Sequence, residues 1–201
     1  MSNLFSKVAL GLSLTCVLAM ADGAFIGVEG DYSFQSKLKS KFVEDPEQTD
    51  KKGQFGLGLK AGYDFDIARI YGAYVYDFQA KKASTDGEGH PYTAKWKTHK
   101  FIVGADYTPT ISENFKLVLG GYTGYSKIKL QSISGDESKK ASANGWLIEA
   151  KIGGEYSLNA NNAVEFGVKA DRTDYGKIGK WDVTDIKETN AGLYLGYTYK
   201  F

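Results

Sequence analysis

Apolar and polar residues alternate with a period of two over long stretches of this chain. This is the period of a β-strand, because successive side chains point to opposite faces. Eight stretches are predicted as strands. The fifth, Phe115 to Leu130, is predicted without a register, since Leu117 and Leu119 compete with Val118 and Tyr122 for the apolar face. The apolar faces of the other seven stretches are Ile26, Val28, Tyr32 and Phe34; Phe55, Leu57, Leu59, Ala61, Tyr63 and Phe65; Ile70, Tyr74, Tyr76 and Phe78; Phe101, Val103, Ala105 and Tyr107; Trp146, Ile148, Ala150, Ile152 and Tyr156; Val164, Phe166, Val168 and Ala170; and Leu193, Leu195, Tyr197, Tyr199 and Phe201.

The links between these stretches alternate in length. Long polar links near residues 36–52, 81–94, 131–144 and 173–186 take turns with short ones near 64–68, 108–114 and 157–162. Bacterial membrane barrels have long loops outside and short turns in the periplasm. The pattern therefore predicts an all-β, eight-stranded antiparallel up-and-down transmembrane β-barrel, with both termini on the periplasmic side.

The polar face decides between a soluble and a membrane barrel. It carries many glycines, such as Gly58, Gly104 and Gly167, which weaken a water-facing strand without evident gain. The interior of an eight-stranded barrel is just wide enough for side chains, so large residues such as Tyr71, Trp96 and Tyr194 need small neighbours there. We therefore expect the polar face inside and the apolar face in lipid.

The inward face is also predicted to carry charges of both signs. Buried charges are tolerated when they are paired, whereas unpaired ones cost several kcal/mol. We expect an ion-pair network that fills the lumen and leaves no open pore. Its predicted members are Glu29, Asp31, Lys60, Lys100, Glu149, Lys151 and Lys169.

Aromatic residues support insertion in a membrane, because they gather toward both ends of the predicted strands. Two aromatic belts around an aliphatic band match the two membrane interfaces. One end has Tyr63, Phe65, Tyr107, Phe115, Tyr156, Tyr197, Tyr199 and Phe201, and the other has Tyr74, Tyr76, Phe78 and Trp146.

The N-terminus has the layout of a secretory signal peptide. Lys7 precedes an apolar stretch that ends in Ala19, Met20 and Ala21. We expect a signal peptide at 1–21 and an outer-membrane barrel domain at 22–201. Cys16 lies in this leader, so the mature chain has no cysteine for a disulfide, a thiolate metal site or a nucleophile.

Charge excludes one class of partner. The chain has 25 basic and 24 acidic residues, and removal of Lys7 with the leader makes the two counts equal. Phosphate backbones require a net basic face, so nucleic acid is not an expected partner.

The last nine residues carry a specific motif. Leu193, Leu195, Tyr197, Tyr199 and Phe201 place apolar or aromatic side chains at alternate positions before a terminal phenylalanine. This resembles the C-terminal signal through which the barrel assembly machinery recognises outer-membrane barrels. With the leader and the strand layout, the chain resembles the small outer-membrane barrel family that includes OmpX and the barrel part of OmpA. The resemblance implies export to the outer membrane of a Gram-negative bacterium, and it supplies no catalytic residues.

Candidate chemistry is sparse. His90 lies in a loop with Gly87, Gly89 and Pro91, which indicates a solvated residue. His99 is predicted to face outward near the outer rim, without the His and Ser two apart that lipid A deacylases have on one strand. Asp171 with Asp174 and Asp182 with Asp185 lack calcium-loop spacing. We expect no catalytic site, metal or cofactor.

Lysine pairs occur at most of the predicted loop ends. Solvation and protection of strand edges explain many of them. The functional alternative is contact with lipopolysaccharide phosphates, for which Lys81, Lys82, Lys95 and Lys97 are the candidates.

The leading hypothesis is thus a non-enzymatic barrel for envelope integrity, or for surface interaction through long loops with an unknown ligand. The expected partners are outer-membrane lipids, lipopolysaccharide and the assembly machinery. A narrow channel or carrier and a lipid-modifying enzyme are the alternatives.

Overall fold

A computed structural model describes residues 23–42, 48–85, 91–134, 137–178 and 183–201. The predicted signal peptide lies outside these residues. Eight long strands and one short strand, β5, occupy the described chain. They are β1 (Ala24–Phe42), β2 (Gln48–Asp64), β3 (Ala68–Thr85), β4 (Pro91–Tyr107), β5 (Thr110–Ser112), β6 (Phe115–Ser134), β7 (Glu137–Ser157), β8 (Asn162–Ile178) and β9 (Val183–Lys200). Within this part of the chain, no helix is long and apolar enough to cross a membrane.

The long strands close into an antiparallel barrel. Each pairs with the next along the chain, β4 pairs with β6, and β1 pairs with β9 to complete the ring. The predicted eight-stranded up-and-down barrel is confirmed. β5 is a short addition beside β6, in the link after β4.

The end with the short turns carries both Gly23 and Phe201, and we call it the terminal end; the opposite end is the hairpin end. Side-chain hydrogen bonds stabilise two of the turns at the terminal end. Asp64 Oδ1 accepts a hydrogen bond from the Asp66 amide at 2.9 Å, and Asp66 has a positive φ of 72°. Asn159 Oδ1 accepts hydrogen bonds from the amides of Asn161 and Asn162.

An apolar band surrounds the barrel on its outside. It consists of the outward side chains of residues 26–34, 55–63, 70–78, 101–107, 115–125, 146–156, 164–170 and 191–199. Large apolar side chains in it are exposed, such as Leu57 at 52% and Leu195 at 62%. Six of the eight stretches fall within the roughly 9–11 residues that a tilted strand needs to span a membrane, and 101–107 and 164–170 have seven.

The fifth predicted stretch now has a register. Tyr107 lies opposite Leu119 and Gly104 lies opposite Tyr122. Leu119 faces outward, whereas Val118 and Tyr122 are buried in the lumen.

The predicted long loops are wrong, because strands continue through most of them. β1 runs to Phe42 and β2 starts at Gln48, so the first predicted loop is mostly a hairpin. The same holds for the other three, and the connections at 43–47, 86–90, 135–136 and 179–182 lie outside the described residues. We call the strand residues beyond the apolar band at the hairpin end the extension.

The extension has an apolar interior, which explains why strands persist there. Inward side chains of seven strands pack together, and Trp96 in the middle is only 1% exposed. We call this the extension cluster, and it consists of Leu38, Ala80, Trp96, Ile128, Leu130, Ala143, Tyr175 and Ile186. Burial of these side chains favours extended pairing over a solvated loop. In the apolar band, apolar side chains face outward and charged ones face inward. In the extension, apolar side chains face inward, so the polarity of the two faces of the wall is inverted.

Candidate functional site

Two features remain as candidates for function, the filled lumen and the cationic outer surface above the apolar band. The lumen at band level is centred on Arg69 of β3, which is 1% exposed. Its guanidinium donates to Asp106 at 2.8 Å, to Glu165 at 2.6 Å and to Glu155. One arginine thus joins carboxylates from three other strands, which suits its planar, multiply donating fork.

Lys151 lies beside this centre. Its Nζ is 2.6 Å from Glu165 and 3.3 Å from Asp106, and it donates to the Tyr71 hydroxyl at 2.9 Å. The same ammonium lies 5.2–5.4 Å from the ring centroids of Tyr71, Tyr122 and Tyr194. Carboxylates and aromatic ring faces take the place of the water that would hydrate this ammonium in solution.

Ion pairs continue in both directions along the lumen. Toward the hairpin end, Lys60 contacts Glu165 and Glu29 at 3.1 and 3.5 Å. Lys169 then joins Glu29 to Asp31 at 3.1 and 2.9 Å. Toward the terminal end, Lys200 joins Asp64 to Glu155 at 2.8 and 3.1 Å, so charged contacts run almost the whole height of the band.

Of the predicted network residues, Glu29, Asp31, Lys60, Lys151 and Lys169 are brought together in this chain of contacts. Lys100 forms a separate group with Asp77 at 2.9 Å and Asp171 at 3.1 Å. Glu149 is buried opposite Asp171 and Tyr122, and forms no ion pair with the described residues.

The centre of the network was missed as a site. Arg69, Asp106, Glu155 and Glu165 all have inward parity, but cross-strand register decides which inward charges meet. One signal was available: Arg69 is one of only two arginines in the chain.

Between the network and the extension cluster lies a carboxylate with a different environment. Glu188 is fully buried and accepts a hydrogen bond from the Tyr175 hydroxyl at 2.8 Å. The hydroxyls of Ser36 and Thr98 lie 3.4 Å from its oxygens. Burial raises the pKa of Glu188 to about 7, a rise that Lys100 opposes and Asp77 and Asp171 reinforce.

The outer surface above the band is cationic on β4 and β6. Lys97 lies directly opposite Lys129, and His99 lies opposite Lys127. Of the predicted lipopolysaccharide contacts, Lys95 and Lys97 are partly exposed here, Lys81 is exposed opposite Lys95, and Lys82 is partly exposed one residue further. We call Lys81, Lys95, Lys97, Lys127 and Lys129 the lysine belt.

His99 lies at the lower edge of the belt. Partial burial and the nearby ammonium groups of Lys129, Lys97 and Lys127 lower its pKa. Its Nδ1 is 2.8 Å from the Tyr74 hydroxyl, and the structure gives this ring no hydrogen bond to a described serine or threonine.

No metal centre emerges from the described ranges, since no group of three His, Cys, Asp or Glu side chains is placed there to hold an ion. The residues of the predicted assembly signal lie on β9, where Leu193, Leu195, Tyr197 and Tyr199 face outward, and Phe201 follows its end.

The family is decided by comparison with known proteins. The model of the outer membrane protein beta-barrel domain matches residues 8–201. The chain belongs to this family. The predicted resemblance to small outer-membrane barrels is confirmed, and the family places the protein in the bacterial outer membrane.

Solved structures of the same fold are only distantly similar in sequence. Ail, the attachment invasion locus protein of Yersinia pestis, is 18% identical with a TM-score of 0.53, over 90% of this chain and 100% of Ail. Neisserial surface protein A is 16% identical with a TM-score of 0.53, over 89% of this chain and 97% of its own. No curated protein sequence matches the chain. These likenesses show the fold and leave the role to be argued from the residues.

Proposed function

We propose that this protein is a sealed, non-enzymatic outer-membrane barrel that holds lipopolysaccharide at the outer leaflet and so contributes to envelope integrity. The observation that carries the proposal is the lysine belt directly above the apolar band. In this proposal the hairpin end faces the outside.

The belt is unfavourable for the isolated barrel. Like charges directly opposite each other on neighbouring strands are destabilising, and Lys97 faces Lys129 in this way. β4 and β6 contain a single acidic residue, Asp106, and it points into the lumen. An external anion is therefore the natural counter-charge for these lysines.

The height of the belt matches a lipid headgroup. Phe101 and Tyr125 lie opposite each other at the upper margin of the apolar band. Lys127 and His99 lie two residues beyond them, and Lys97 and Lys129 two residues further, so each step rises about 7 Å along the strand. Clusters of cations at this level recognise anionic lipid headgroups, and lipopolysaccharide phosphates are such groups.

The lumen supports a holding role over the alternative of a channel. Charged contacts fill the band level, and the extension cluster covers them at the hairpin end. Water and ions would have to displace both layers to pass.

The belt is tested by measuring lipopolysaccharide affinity in nanodiscs for a Lys97→Glu, Lys129→Glu double variant. Each cation near an anionic surface contributes on the order of 1 kcal/mol. We therefore expect affinity to fall by at least about tenfold, which corresponds to 1.4 kcal/mol.

The matched control is Lys139→Glu, Lys140→Glu, which makes the same charge change on β7 near the tip of the extension, where both residues are exposed. It should lower affinity less than the belt variant does, since Lys140 and Lys139 lie six and seven residues beyond the apolar band on β7, against four residues for Lys97 and Lys129. Equal affinity of the belt variant and the unaltered protein would overturn the proposal.

A further inference from the structure

An open groove of about 840 Å³ crosses the lipid-facing wall of β2, β3, β4 and β6. This volume lies within the roughly 300–1,000 Å³ of ligand pockets. The groove forms where outward positions of neighbouring strands are small or absent side chains: Gly72 lies opposite Val103, and Ala105 lies opposite Gly121. Its outward lining includes Ala61, Gly72, Val103, Ala105, Gly121 and Thr123.

Large apolar side chains border the groove above and below. Toward the hairpin end, Tyr74 packs against Phe101 with ring centroids 5.0 Å apart. Toward the terminal end, Tyr107 lies opposite Leu119, and both are exposed. The groove thus lies in the middle of the apolar band, between two ridges.

Two glycines in the floor of the groove are not required by packing within the described barrel. Apart from its chain neighbours, a Cβ at Gly121 would meet no described atom within 4 Å, and one at Gly72 would approach only the Ile102 carbonyl, at 3.8 Å. Gly104 is different, since a Cβ there would overlap the Tyr122 ring. Glycine weakens a strand, and in a strand it often marks the close approach of a ligand. The space over Gly72 and Gly121 is therefore available to a molecule outside the barrel.

The groove presents hydrocarbon to the bilayer. Thr123 donates its hydroxyl to the Leu147 carbonyl at 3.1 Å. Tyr71 and Tyr122 reach the groove from the inside, and both of their hydroxyls form hydrogen bonds within the lumen. Polar groups of a ligand would find no partner at the centre of the groove, so the matching occupant is a hydrocarbon chain.

We infer that this groove receives an acyl chain of lipopolysaccharide whose phosphates lie at the lysine belt. The inference rests on the proposed function and adds a site for the hydrophobic part of the same lipid. Within a bilayer an acyl chain gains no hydrophobic stabilisation by leaving other lipids, so dispersion contacts select it. Small residues strengthen those contacts because they let the chain approach the backbone closely.

The lysine belt lies within reach of the groove on the same strands. Six residues lead from Gly121 to Lys127 on β6, and six lead from Val103 to Lys97 on β4. This is about 20 Å along a strand, or roughly 14 Å in depth at a tilt of about 45°. Half of the hydrocarbon core is about 15 Å thick. A chain that descends from the belt therefore reaches the level of the groove, and the charge of the belt favours an anionic lipid over a zwitterionic one.

The test is lipopolysaccharide affinity in phosphatidylcholine nanodiscs for two single variants that fill the groove, Gly72→Leu and Gly121→Leu. Because a Cβ at either position meets open space, the barrel should fold, and heat-modifiable mobility verifies this. We expect affinity to fall by at least about fivefold in each, since leucine displaces the chain from its contacts. The matched control is Gly30→Leu on β1, where the space is equally open but outside the groove, and its affinity should be unchanged. Unchanged affinity in both groove variants would overturn the inference.

Deacylated lipopolysaccharide separates this inference from the proposed function. It keeps phosphates and lacks acyl chains, so the groove variants should bind it as the unaltered protein does, whereas the Lys97→Glu, Lys129→Glu variant should bind it more weakly. Loss of intact lipopolysaccharide in the belt variant alone would overturn the groove inference and leave the proposed function standing. Loss in the groove variants alone would overturn the proposed function and retain the groove as a site for the chain.

A photoreactive group near the methyl end of the acyl chains locates the chain on the unaltered protein, which decides the matter if a variant does not fold. Lipopolysaccharide labelled in this way should cross-link mainly to 61–63, 70–72, 103–105 and 121–123. Phosphatidylcholine with the same label should cross-link evenly around the apolar band. An even distribution for both lipids would overturn the inference.

Discussion

Glu188 lies at the boundary between the charged lumen of the band and the apolar extension cluster. It lies below the extension cluster and above Lys100, and it receives hydroxyl groups where Glu165, Glu155 and Glu29 receive cations. A buried carboxylate without a paired cation favours its neutral form. The residue therefore links the protonation state of the lumen to the packing above it.

The sign of the pH effect follows from the raised pKa of Glu188, about 7 against 4.5 for an unperturbed glutamate. The folded state binds the proton more tightly than the unfolded state, so this group favours folding below pH 4.5. That contribution is lost as pH rises from about 4.5 to 7. Further increase in pH changes it little.

Glu188→Gln should remove this dependence. We expect the variant to gain up to about 3 kcal/mol over the unaltered protein at pH 8, and nothing comparable at pH 4, because glutamine is neutral at both. Urea unfolding midpoints in lipid vesicles between pH 4 and 8 measure the difference. An unchanged pH profile would contradict the raised pKa.

At the scale of the strand, glycine makes room for tyrosine in the lumen, as the sequence predicted for Tyr71 and Tyr194. A Cβ at Gly62 would lie against Tyr71, and one at Gly167 would approach the Tyr194 ring at 2.9 Å. Gly104 does the same for Tyr122, since a Cβ there would overlap that ring and lie 2.6 Å from the Gly121 carbonyl.

Gly104→Ala should therefore destabilise the barrel by about 1–3 kcal/mol, the usual cost of overpacking. Gly121→Ala is the matched control on the neighbouring strand, because its Cβ would meet open space on the outer face. Heat-modifiable electrophoretic mobility and urea midpoints should move for the first variant alone. A larger loss in Gly121→Ala would refute this account of the interior.

The strands of the band could be predicted from the sequence, whereas those of the extension could not. Within the band, alternation with a period of two predicts both the positions of the strands and which face points outward, because every outward side chain in lipid is expected to be apolar. In the extension the polarity inverts, so Leu38 and Ile186 are apolar residues on the inward face. Lysines beside them, such as Lys37, Lys39 and Lys187, made these segments look like loops.

β-Bulges hide the inversion further. In β1, register shifts between Ser33 and Ser36 leave both Phe34 and Gln35 facing outward. Residues of even number then point outward before the shift and inward after it, as Phe34 and Leu38 show. A bulge cannot be read from alternation alone, which is why the apolar residues beyond it were not assigned to a core.

At the scale of the whole molecule, we expect that the lumen does not conduct ions. Arg69, Lys151 and their carboxylates close the band level, and Trp96 with its neighbours closes the extension. In planar bilayers we expect no steady open currents from the refolded protein. Trp96→Ala should leave this unchanged, because the ion pairs below it persist.

Conductance separates the sealed barrel from a channel or carrier. The same preparation should show heat-modifiable mobility, which verifies that the protein inserted in the bilayer is folded. Steady currents from the unaltered protein would refute the sealed lumen, and currents in Trp96→Ala alone would place the seal in the extension.

The inversion of polarity along the wall also bears on temperature. The extension cluster is an apolar core outside the apolar band, and hydrophobic burial of that kind weakens on cooling. The band below has its apolar residues in lipid and its charges inside, so loosening within the bilayer exposes no comparable apolar surface to water. Cold should therefore loosen the hairpin end of the barrel while the part within the bilayer stays rigid.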